Sequence, residues 1–170
     1  MGLISEELNN MLNDVLAKCF ALNRLLDRDM SLLSVKFKMA RTAEILHPAL
    51  AHAYLGDEFA DSISGYQASR DMLTIYGATP IGDKDYNTPL DLIVDYYNEN
   101  LELQEMIYDT VDKAIEVGDY TTKIFLDGLL SRLSKYTALS ITLVDLFTDY
   151  GSEPYKLQLL DSVIDKYVTV

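Results

Sequence analysis

The sequence is poor in the residues that build most metal and redox sites. It has one cysteine, Cys19, and two histidines, His47 and His52, in 170 residues. A single thiol excludes an internal disulfide framework and any cysteine-cluster zinc site. It leaves Cys19 as a small buried hydrophobe. Cations are scarce too: 14 Lys plus Arg stand against 27 Asp plus Glu, a net charge of −13. Nucleic-acid binding begins with cations neutralising phosphates, so direct DNA binding is not expected. The balance suits cationic ligands, or simply solubility. No stretch approaches about 18 consecutive apolar residues, so no membrane span is expected. The N-terminal residues carry no basic, apolar leader pattern, and Glu6 stands where a myristoylation signal wants Ser or Thr. A reducing cytoplasm is the expected location. Gly-rich phosphate loops, nucleophile elbows and Ser–His–Asp arrangements are all missing.

Helix breakers are few as well, four Pro and eight Gly, and they separate long stretches of 3–4 apolar spacing. That pattern predicts an all-α chain. With 49% apolar residues a sizeable core is available. The length fits a single domain over residues 1–170, a core bundle at about 5–150 with a short extra helix at about 153–168.

The first helix is predicted over about residues 5–33, capped by Ser5, with Leu8, Leu12, Val15, Cys19, Leu22, Leu26 and Leu33 on its core face. Asn9, Asn13, Lys18, Arg24 and Arg28 mark the opposite face. The second is predicted over about 42–76, either capped by Thr42 or, because Pro48 disturbs the first turns, starting nearer His47 with Glu44 to Leu46 as an irregular turn. Ala49, His52, Leu55, Phe59, Ile63, Tyr66 and Leu73 form an apolar face. His47, Ala51, Tyr54, Glu58, Asp61 and Gly65 form a more polar one. Residues 77–88, with two Gly and Pro80, read as a loop. At 3.3–3.6 Å per residue its span is roughly 40 Å, just enough to run the length of a bundle. Thr88-Pro89 opens the third helix, for which Leu90, Val94, Tyr97, Leu101, Gln104, Tyr108, Val111 and Ile115 give the expected face. Asp119 caps the fourth, and Pro154 starts a short fifth. The architecture is a four-helix bundle with a short C-terminal helix.

Several stretches, in order, resemble the ferritin-like superfamily and most of all its Dps branch. These are Leu8-Asn9, Leu46-His47, Ile75-Tyr-Gly-Ala-Thr-Pro-Ile81 and Ala114-Ile-Glu-Val-Gly-Asp-Tyr-Thr-Thr122. The resemblance implies a ferritin-like bundle that self-associates into a homo-oligomer, a dodecameric shell on the Dps pattern. It implies Fe²⁺ as the species bound and oxidised, ferric iron as the species stored, and protection against oxidative stress. The short C-terminal helix resembles the one that closes ferritin subunits and is not usual in Dps. The first helix lacks the His that Dps proteins place there. Glu44-Ile-Leu-His47 has the Glu-x-x-His spelling of ferritins but lies early and next to Pro48. The Dps acidic position falls on Asp61 counted from His47, and on Asp71 counted from Gly77 and Pro80.

The candidate metal ligands are therefore His47, His52, Glu58, Asp61 and Asp71. Glu58 and Asp61 share a stripe with His47, where they line a metal site or simply face solvent. His52, on the apolar face, is a ligand or a hydrogen-bonded core histidine. Five residues on an α-helix are about 140° apart, so the two histidines are not expected to hold one ion together. The ferroxidase set is incomplete on this reading, and a non-catalytic bundle acting as a structural module is the alternative. Arg132 and Lys135 stand in the fourth helix where acidic ligands are wanted. Asp95, Glu99, Glu102 and Glu105 form an acidic edge on the third, an ion-attracting lining or a solvated face.

Overall fold

Each long helix starts at a capping residue, and α4 and α5 each stop at a glycine. The computed structural model describes residues 2–79 and 83–168. Helix α1 spans Glu6–Val35, and Ser5 Oγ accepts from the Leu8 amide at 3.2 Å. Glu6 and Glu7 lie in its first turn, where they complement the helix dipole. Helix α4 spans Pro89–Glu116, capped by Thr88 through the Asp91 amide at 3.2 Å. Helix α5 spans Tyr120–Tyr150, capped by Asp119 through the Thr122 amide at 3.0 Å. Gly118 and Gly151 take the left-handed φ values of 73° and 78° that end α4 and α5. Helix α6 spans Pro154–Val163 and runs into a 3₁₀ turn at Ile164–Lys166.

The second helix is the exception. The helix expected over about 42–76 is three pieces: α2 at Ala40–Leu46, a π turn at His47–Ala51, and α3 at Ala60–Ser69, with turns over 52–59, so the irregularity lies after Leu46 rather than before it. Pro48 has no amide to give to the carbonyl four residues back, and its ring crowds that carbonyl, so the backbone widens there. Thr42 does not cap α2. It is fully buried, and its amide and hydroxyl both donate to Asp161 Oδ1 at 2.7 Å, which fastens α6 across α2.

Cross-helix contacts fix the topology. Lys113 at the end of α4 pairs with Glu7 at the start of α1, at 2.9 Å, so α1 and α4 are antiparallel. Tyr66 of α3 meets Thr122 of α5 at 2.8 Å, and Ser62 meets Arg132 at 3.1 Å, so α3 and α5 are antiparallel. Between α3 and α4, residues 70–79 and 83–88 run back along α1. The Leu3 amide donates to the Arg70 carbonyl at 2.9 Å, Asn9 reaches the Leu73 carbonyl at 3.1 Å, Phe20 packs edge-on to Tyr76, and Lys36 pairs with Asp85 at 2.7 Å. This is the long crossover, and it begins seven residues earlier than predicted, because α3 stops at Ser69. Pro80, Ile81 and Gly82 lie outside the described residues.

The crossover covers a face of α1 assigned above to solvent. Asn9 and Asn13 are buried beneath it. Gln67, fully buried at the end of α3, donates to Asn9 Oδ1 at 2.9 Å and Asn13 Oδ1 at 2.8 Å, and accepts from Thr74 at 2.7 Å. The Ile75 amide also reaches Asn13 Oδ1, at 3.0 Å. Gln67→Leu removes the shared donor from a buried network and is expected to cost about 2–3 kcal/mol. The check is a lower urea midpoint at unchanged m-value, with faster amide exchange at Ile75. A cost near zero would mean that the crossover is held elsewhere.

The core face of α1 is as predicted, every residue of it buried. That of α4 is not. The buried side carries Leu92, Ile93, Tyr96, Asn100, Leu103, Ile107, Thr110 and Ala114, while Val94, Tyr108 and Ile115 of the predicted face are exposed. Helix α4 has two apolar stripes, and the one interrupted by Asn100 and Thr110 turns inward, where Tyr54 waits for Asn100 and Thr110 is satisfied within its own helix. Thr110 bonds back to the Met106 carbonyl at 2.7 Å. Asn100 accepts from the Tyr54 hydroxyl.

Candidate metal centre

The middle of the bundle, where a ferritin-like protein directs carboxylates from facing helices at two metal ions, holds no such set among the described residues. It is filled by aromatic side chains. Tyr54 stacks on Phe59 with ring centres 5.2 Å apart, and Tyr136 packs against both, at 5.7 Å and 5.6 Å. The Tyr54 hydroxyl lies 3.0 Å from that of Tyr96. Burial pushes Tyr96 up to about 12 and Tyr54 well above its ordinary value, so both hydroxyls stay protonated. Burial likewise pushes the Cys19 thiol up to about 12, with the Lys18 charge opposing, and leaves it inert. Among the described residues the one buried carboxylate is Asp29. The residues present do not fit an interior dinuclear centre, and no oxidation step is derived through one.

Asp29 sits instead under the end of the crossover. Lys84 reaches Asp95 and Glu99, each at 3.0 Å, and the Tyr86 hydroxyl donates to Asp95 at 2.7 Å. Lys18 pairs with Glu99 and, at 3.2 Å, with Glu102. Burial alone would raise Glu99, but the ammonium groups of Lys18 and Lys84 outweigh it and hold the carboxyl below its ordinary range. Much of the acidic edge of α4 is thus neutralised by lysines rather than left open for ions.

The histidines come together elsewhere. The π turn closes on its fifth residue rather than its fourth, so His47 and His52 are stacked on one side of the chain. Their rings are 4.6 Å apart and meet edge-on at 70°. The expectation that five-residue spacing separates them by 140° is corrected: it holds for an α-helix, and this segment is not one. Asp27 of α1 completes the group. Its Oδ1 lies 3.1 Å from His47 Nε2, and one donor atom from each of Asp27, His47 and His52 falls within 4.8 Å of the others. Asp27 and His52 are exposed and His47 is half-buried, so the group is open to solvent. Asn23, one turn before Asp27 on α1, donates to the Ala51 carbonyl at the end of the π turn and holds the two elements in register.

The other candidates lie apart from this group. Glu58 pairs with Lys135 at 3.5 Å, and its backbone carbonyl accepts from Arg132 Nε at 2.7 Å. Asp61 is exposed in the first turn of α3. Asp71 is exposed beyond the end of α3, in a left-handed conformation at φ 57°, and so is not a helix carboxylate. The residue missed by sequence reasoning is Asp27. It pairs across two helices, and nothing in the local pattern of α1 distinguishes it from the other exposed acids.

Neither a family model nor a curated protein matches the sequence. Solved structures do match its fold. An Archaeoglobus fulgidus ferritin engineered into a closed form by site-directed mutagenesis aligns with a TM-score of 0.79 at 16% identity, over 98% of this chain and 99% of the other. The Chlorobium tepidum ferritin aligns at 0.77 and 19% identity, over 97% and 99%. An iron-soaked variant of PmFTN aligns at 0.83 and 16% identity, over 94% and 99%. The chain therefore has the ferritin-like four-helix bundle with its short C-terminal helix, as the sequence implied.

Proposed function

We propose that this chain is an iron-binding subunit of a ferritin-like homo-oligomer, which takes up Fe²⁺ and sequesters it as ferric iron against oxidative stress. The observation that carries the reading is the fold itself, crossover and closing helix included, matched along almost the whole chain by ferritins. The presence of α6 favours the ferritin pattern over a Dps dodecamer. The net charge of −13 favours cation attraction and disfavours direct DNA contact. On this reading the iron ligands are His47 and His52, with Asp27 rather than Asp61 or Asp71 as the carboxylate.

The aromatic bundle centre supports the second reading, a non-catalytic module of the same fold, as far as catalysis goes. Both readings are separated by one experiment. Fe²⁺ is added in air, ferric absorbance is followed, and retained iron and particle size are measured. The expected result is oxidation near the buffer rate, several iron atoms retained per chain, and a particle many times the 19.2 kDa of one chain. A monomer or dimer that retains no iron would leave only the structural module.

A further inference from the structure

We infer that Asp27, His47 and His52 form a mononuclear site for one divalent transition-metal ion per chain, built by the π turn and open to exogenous ligands on its solvent side. Two imidazoles and one carboxylate on one side of an ion, with positions left open, is a donor set that suits Fe²⁺ and other first-row divalent ions. Metal–ligand bonds of about 2.1 Å set at right angles place neighbouring donors about 3.0 Å apart. His47 Nε2 and Asp27 Oδ1 lie 3.1 Å apart as a hydrogen-bonded pair, a spacing that an ion bound between them would preserve. His52 has no side-chain hydrogen bond of its own among the described residues, only the edge contact with the His47 ring. A half-buried and an exposed imidazole are thus packed together beside a carboxylate, and the exposed one has no partner that explains its place.

The register is built. Pro48 forces the wide turn, Asn23 ties the end of that turn to α1, and Asp27 follows one turn later on the same face of α1. An α-helical register over the same residues would turn His52 away from His47. His52 also lines a groove of about 290 Å³ with Pro48, Ala49, Ala53, Lys135, Tyr136 and Leu139, which gives small exogenous ligands a way to the open positions.

The inference rests on the iron reading only for which ion is relevant, not for the existence of the site. The test uses Co²⁺ as a spectroscopic probe of the full-length protein, with elemental analysis for stoichiometry. One Co²⁺ per chain is expected, displaced by Zn²⁺ but not by Mg²⁺. His52→Gln and Asp27→Asn are each expected to weaken binding at least tenfold, while Asp61→Asn leaves it unchanged. The exposed positions make these variants safe for folding, which circular dichroism checks. Equal Co²⁺ affinity in wild type and His52→Gln, or no binding at millimolar Co²⁺, would overturn the site. Co²⁺ binding without iron retention would sink the storage proposal alone. Iron retention that survives His52→Gln with no stoichiometric Co²⁺ would sink this one alone.

Discussion

Asp29→Asn is expected to stabilise the protein at neutral and alkaline pH, by about 2–4 kcal/mol at pH 7. Asp29 is fully buried on α1. Burial pushes its carboxyl up to about 8, with Asp95 adding to the rise and Lys84 and the Tyr86 hydroxyl opposing it. Near neutrality the folded protein therefore holds a proton that the unfolded chain releases. The favourable linkage is fully present below the unfolded value of about 4 and is lost as pH rises through the folded value of about 8. A unit of difference is worth about 1.4 kcal/mol, so the upper bound at pH 7 is about 4 kcal/mol. The amide has the same shape and carries no charge at any pH, but it still buries polar atoms. The expected gain is therefore somewhat smaller than that bound. Urea midpoints at pH 5, 7 and 8.5 provide the check. The difference between variant and wild type should widen steadily with pH. A constant difference, or a variant less stable at pH 8.5, would show that Asp29 is ionised in the native state.

Asp29 also shows where the sequence stopped being legible. The starts of α1, α4 and α5 could be read from Ser5, Thr88-Pro89 and Asp119, because one residue's conformational preference or side-chain bond suffices at each. The core face of α1 could be read from spacing alone. Errors cluster where a distant segment covers a helix. Asn9, Asn13 and Asp29 lie on the side of α1 that the crossover hides, and local polarity assigned the two asparagines to water. Helix α4 had two apolar stripes to choose between, and the choice depended on Tyr54 reaching Asn100 from 46 residues away. The metal group was half legible. His47 and His52 could be named for their rarity, but their meeting needed the π turn, and Asp27 needed the pairing of α1 with that turn. Pro48 was the available signal, and it marked a disturbance without fixing its geometry.

Phe59→Ala is expected to cost about 3–5 kcal/mol, the range for emptying a fully buried aromatic position. At this chain length that corresponds to a fall in Tm of roughly 6–20 °C. The reason lies in how the broken second helix is held. Residues 52–59 have few regular backbone bonds to share, and α3 begins at Phe59 with no side-chain cap, at φ −132° and ψ −87°. What fixes the start of α3 is the Phe59 ring, fully buried between Tyr54 and Tyr136. Removing it leaves a void against two rigid rings that cannot close without moving the segment. Tyr54→Phe separates this packing role from the polar one. It keeps the ring, takes one partner from Asn100 and Tyr96, and is expected to cost only about 1–2 kcal/mol. The two variants should also differ at the histidines. His52 is joined to Phe59 by turns alone, so Phe59→Ala is expected to weaken Co²⁺ binding while Tyr54→Phe leaves it close to wild type. A cost below about 1 kcal/mol for Phe59→Ala would mean that the break is held by its backbone, and the π turn would then owe its position to Pro48 and Asn23 without help from the core.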